Sequence, residues 1–132
     1  MRASVFQRTI ASVALAAFIC LAAATAQAKP SGSWRLTFDS QTEVDGVIGL
    51  RIAPIEGTPI EVEVKIPART TENKVADLVS DALKKALGSK NFRVGVDDGE
   101  SVVIKKRGKT KNFEVTMLSA PISGLGVKLK RG

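Results

Sequence analysis

The chain has 132 residues, with 20 Lys and Arg against 13 Asp and Glu for a net charge of +7, and it contains no His, no Tyr and one Cys. A chain of this length holds one modest core and not two. Without His, and with a single Cys, it lacks the commonest catalytic base and the ligand sets preferred by zinc and copper, and a Ser-His-Asp or Cys-His triad is excluded.

Residues 1–28 place Arg2 and Arg8 ahead of an apolar run from Ile10 to Ala26, followed by Ala26-Gln27-Ala28. A basic lead, an apolar stretch and an A-x-A site predict a secretory signal peptide cleaved between Ala28 and Lys29, and hence a periplasmic or secreted protein. The run is Ala-rich and short of the roughly 20 strongly apolar residues a span needs, and no later segment reads as one. Cleavage removes the only cysteine together with Arg2 and Arg8, leaving 18 basic residues against 13 acidic ones, a net charge of +5. The remaining domain must therefore hold itself by packing without a disulfide.

Residues 29–32 are polar and predict a mobile lead, with a single domain over 33–132. Trp34, Leu36 and Phe38 alternate with Arg35 and Thr37, the pattern of a half-buried strand. A second strand is expected over Val44 to Ala53, opened by the Asp45-Gly46 turn signal, with Gly49 as a bulge or close-approach point and Pro54 as its end. Ile60 to Ile66 is the clearest strand, with four aliphatics alternating against Glu61, Glu63 and Lys65, so its sheet is covered on one side.

From Thr71 to Gly88 the apolar residues Val75, Leu78, Val79, Ala82, Leu83, Ala86 and Leu87 keep a helical period and share one face. Thr71 is the expected N-cap, Glu72, Lys84 and Lys85 complement the dipole, and Gly88 is the expected left-handed C-cap. After the helix, Phe92, Val94 and Val96 lead into the Asp97-Asp98-Gly99-Glu100 hairpin turn, and Ser101 to Lys106 returns. A second turn around Gly108 leads to Phe113, Val115 and Met117, and Val127 and Leu129 mark a last strand.

Strands on either side of one helix predict an α+β fold, with a single helix packed on one face of a curled, mainly antiparallel sheet of about six strands. Six strands about 4.8 Å apart span roughly 24 Å, while a helix is about 10 Å across. The uncovered apolar face must curl, split into two layers, or meet another subunit, so a homo-oligomer is one expectation.

The succession of a strand, a helix of the form Thr-x-x-x-V-A-x-L-V-x-x-A-L, a strand, an acidic-Gly turn and V-x-I-K resembles a small β-α-β-β module found in phage tail proteins and bacterial surface proteins. The resemblance covers Ile60 to about Val115. It implies a structural or assembly role and brings no catalytic residues.

Several arrangements compete with a non-catalytic reading. Ser80 with Lys84 and Ser101 with Lys105 have the spacing of a Ser-Lys pair, but on a helix this stacks two solvent-facing residues, and on a strand it separates them by about 13 Å. The carboxylates Asp97, Asp98 and Glu100, and Asp39, Glu43 and Asp45, match no calcium-loop spacing and read as a turn and a solvated loop. Trp34, Phe38, Phe92 and Phe113 all fall on inward positions, leaving no aromatic platform for a sugar or a base. No metal and no cofactor is expected.

Lys105, Lys106, Arg107, Lys109 and Lys111 crowd one hairpin, and Lys128, Lys130 and Arg131 end the chain. If the last strand lies beside the hairpin, the two clusters form one patch for an anionic glycan, a lipid head group or another polyanion. Specific nucleic-acid recognition is not expected, because no aromatics are interleaved. The competing reading of the same lysines is protection of a sheet edge. The sequence thus predicts an exported, non-catalytic binding or assembly protein, the alternative being a small secreted hydrolase that uses carboxylates or a Ser-Lys pair.

Overall fold

The computed structural model describes residues 30–132, and the expected signal peptide lies outside them. Among the described residues there are seven strands and one helix: β1 (Ser33–Ser40), β2 (Gly46–Pro54), β3 (Ile60–Ile66), α1 (Glu72–Leu87), β4 (Phe92–Asp97), β5 (Ser101–Lys106), β6 (Phe113–Met117) and β7 (Leu125–Arg131). The fold is α+β, but the strands form two antiparallel sheets instead of one curled sheet of six. One has the order β4-β5-β1-β7 and the other β3-β2-β6. No helix among the described residues is long and apolar enough to cross a membrane.

The split into two layers answers the width problem. The inward residues of both sheets, among them Leu36, Phe38, Leu50, Ile52, Ile104 and Phe113, are fully buried in one core. Phe92 of β4 meets Phe113 of β6 edge to face, with ring centroids 5.0 Å apart at 83°, so an aromatic contact joins the layers. The Trp34 indole N–H donates to the Phe113 carbonyl at 2.8 Å, which satisfies the polar end of a buried ring.

The start of β1 also links the layers. Ser31 exchanges both backbone hydrogen bonds with Phe113, and the Gly32 carbonyl accepts from Lys106 N–H. Ser31 and Gly32, read from the sequence as part of a mobile lead, thus hold the fold at the seam. On the other side of β1, Gly132 N–H donates to the Ser33 carbonyl and Ser31 Oγ–H donates to the Gly132 carbonyl.

The helix α1 packs against β1, β3, β4 and β5. Its buried residues are Val75, Ala76, Val79, Ser80 and Leu83. The buried stripe is thus rotated from the expected one: Ala76 and Ser80 turn inward, while Ala86 is exposed. The rotation follows from contact with strands of both sheets, which asks for small residues where the helix approaches closely. The Thr71 side chain makes no capping bond. Gly88 takes the positive φ expected of it, 70°, and its N–H donates to the Lys84 carbonyl, but its ψ of −172° lies outside the left-handed helical well.

Ahead of the helix, the buried Thr42 fastens two loops together. Its hydroxyl donates to the Pro67 carbonyl at 2.7 Å and accepts from Thr70 N–H at 2.8 Å. Ala68 N–H donates to Asp45 Oδ1, and Ser123 Oγ–H donates to Glu43 Oε1. Two of the three carboxylates suspected in this loop are therefore acceptors for neighbouring turns.

Candidate anion-binding face

Because side chains alternate along a strand, burying Trp34, Leu36 and Phe38 sends Ser33, Arg35 and Thr37 to the outer face of the four-stranded sheet. The ladder then decides their neighbours. Lys105 of β5 stands opposite both Ser33 and Arg93, Val103 opposite Arg35 and Gly95, and Ser101 opposite Thr37 and Asp97. On the far side of β1, Lys130 stands opposite Arg35 and Lys128 opposite Thr37. Five cations, Arg35, Arg93, Lys105, Lys128 and Lys130, therefore share this face with Asp97 and Asp39.

A trough of about 500 Å³ crosses the face, bordered by Arg35, Arg93, Asp97 and Lys105 over Val103 and Gly95. A β-carbon on Gly95 would meet nothing within 4 Å, so the missing side chain opens the trough. Arg35 is held by Asp97 and lies 3.9 Å from Asp98. Among the described residues Arg93 and Lys105 form no ion pair, although they stand directly opposite each other. Like charges in cross-strand pairs cost on the order of 0.2–1 kcal/mol. The Arg93–Lys105 pair carries that cost unrelieved, and the Arg35–Lys130 pair is relieved by Asp97.

The eight basic residues singled out from the sequence divide among several places. Only Lys105, Lys128 and Lys130 lie on this face. β1 separates β5 from β7, so the hairpin and the last strand are not neighbours. Lys106 lies against Gly32, and Arg107 donates to the Ser89 carbonyl at 2.7 Å, where it ties the helix–β4 loop. Lys109 and Lys111 border a separate cavity with Glu56, and Arg131, opposite Trp34, lies on the inward side of β7 at its exposed end. Sequence reasoning missed Arg35 and Arg93. Alternation marks both as outward, but only the strand order shows that they share a surface.

The other suspected chemistry is dispersed. Ser80 is 1% exposed and its hydroxyl has no partner, while Lys84 is exposed, so they do not form the solvent-facing stack expected from their spacing. Ser101 is buried, with its hydroxyl 3.0 Å from that of Thr37. Asp97 and Asp98 are turned to Arg35. Among the described residues no group of three or more His, Cys, Asp or Glu side chains is placed to hold a metal ion. Comparison with protein-family models and with curated proteins finds no match for the chain.

Proposed function

We infer that this is an exported, non-catalytic protein that binds an anionic ligand through the outer face of its four-stranded sheet. The observation that carries this reading is the unrelieved Arg93–Lys105 pair beside an open trough. A fold that keeps two cations directly opposite each other loses stability unless an anion sits between them. The four aromatic side chains among the described residues are all buried, so bases find no stacking surface, which favours a ligand recognised by charge over a nucleic acid. The basic hairpin, the contact surface expected from sequence, contributes Lys105 and leaves its tip near Glu56. The buried inward faces remove the argument for a subunit covering an apolar sheet.

The test is Lys105→Gln with dextran sulfate as probe. Removing one charge of the pair raises the thermal midpoint of the unliganded protein slightly at low salt, and it weakens dextran sulfate binding several-fold with a shallower salt dependence. A variant that binds as tightly as the parent, or that loses stability without the probe, overturns the assignment.

A further inference from the structure

We propose that the outer edge of β4 pairs antiparallel with β4 of a second copy of this chain, about a two-fold axis at Gly95. The inference rests on the edges of the two sheets and bears on the reading above, because in the dimer Arg93 gains a carboxylate partner and Lys105 is left as the unpaired cation of the trough. A sheet edge displays unpaired backbone groups and is ordinarily blunted by Lys, Pro or a covering segment. Three of the four edges are treated in this way. β3 is bracketed by Pro59 and Pro67, β7 carries Lys128, Lys130 and Arg131, and β6 is met at Phe113 by Ser31. β4, with the sequence FRVGVD, has neither Lys nor Pro.

The backbone phase of β4 follows from one bond. Asn91 accepts from Arg107 N–H across the ladder to β5. Alternation therefore directs the backbone groups of Arg93, Gly95 and Asp97 to β5, and those of Phe92, Val94 and Val96 to the open edge. Val96 is 40% exposed although it shares the inward face of the strand, so the helix leaves this part of the edge uncovered.

Charge then selects the register. With Gly95 opposite Gly95 of the second copy, Val94 exchanges backbone hydrogen bonds with Val96 of that copy, which covers the exposed side chain. Arg93 stands opposite Asp97 of the second copy, and by symmetry the same pair forms again. Other two-fold registers are poorer. Centring on residue 93 or 97 opposes like charges, and centring on 94 or 96 sets charged residues against glycine. Gly95 allows close approach at the axis, where a pair without mutual backbone bonds brings Cα atoms to about 4.5 Å.

That distance lies within the span of a disulfide. In the full chain carrying Cys20→Ser and Gly95→Cys, mild oxidation is expected to give a covalent dimer; a β-carbon at 95 meets no neighbour. Arg93→Cys and Asp97→Cys in the same background are expected to stay uncrosslinked, and either one forming a dimer overturns the register. By light scattering the unmodified protein has twice the protomer mass, and Arg93→Asp raises the dimer dissociation constant at least tenfold while circular dichroism shows the fold intact. A protein that is monomeric alone overturns the proposal, including the case in which this edge takes a strand from a different protein. A dimer that ignores Arg93→Asp and does not crosslink through residue 95 overturns it in favour of another interface.

Discussion

Ser80→Ala is expected to stabilise the protein, and the magnitude follows from the place of one oxygen. Ser80 lies on the buried side of α1, is 1% exposed, and its hydroxyl has no hydrogen-bond partner. In the unfolded chain that hydroxyl is hydrated, so burial without a partner costs about 1–3 kcal/mol. Alanine adds up to about 0.5 kcal/mol of helix propensity at an interior position. Against this, removing the oxygen forfeits a few dispersion contacts worth about 0.1–0.2 kcal/mol each. The balance is a gain of about 1–2 kcal/mol. At about 4 °C per kcal/mol for a domain near 100 residues, the thermal midpoint rises by roughly 4–8 °C. Urea titration followed by circular dichroism measures this directly: the midpoint moves up while the slope stays unchanged. A loss of stability would show that the hydroxyl is satisfied in the folded protein, for instance by the carbonyl one turn earlier, and the account of α1 given above would fail.

Two further substitutions probe the loops around the helix. Thr42→Val keeps the shape of the side chain but leaves Thr70 N–H without its acceptor, while Pro67 retains the bond from Thr70 Oγ–H. A destabilisation of about 1–3 kcal/mol in urea is expected, and a change within the error of the titration would show that the latch is dispensable. Gly124→Ala acts by sterics: Gly124 has φ +89°, and a β-carbon there would lie 2.5 Å from the Gln41 carbonyl oxygen. The expected loss is about 2–4 kcal/mol in a thermal melt, because a left-handed conformation and a backbone clash must both be relieved.

Local patterns were legible wherever one face of an element is buried and the other is wet. Ile60–Ile66 and the Asp98-Gly99 turn, with φ 55° and 72°, match expectation. The helix bounds are also close, because the 3.6-residue period and the charges at its ends agree. Its buried face was misjudged at Ala76 and Ser80, since a helix that touches strands of both sheets buries small residues that carry no hydrophobic signal. A split into two layers was one of three outcomes the strand count allowed, but the choice among them was not readable, because strand order depends on pairings between distant segments. Ser31 with Phe113 and Arg35 with Lys130 have no local signature. The candidate face depends on that order, so sequence reasoning found Lys105, Lys128 and Lys130 yet grouped them with residues the fold sends elsewhere.

The antiparallel pairing of β1 with β7, which sets Gly132 beside Ser33, has a mechanical consequence. Tension applied between residues 31 and 132 pulls at the two strand ends that lie next to each other. The ladder bonds run perpendicular to the strands and so parallel to the load, and they yield one pair at a time instead of sharing the force. The domain therefore peels from β7 inward at low force, while the β1–β5 ladder on the other side of β1 is loaded only after β7 has come away.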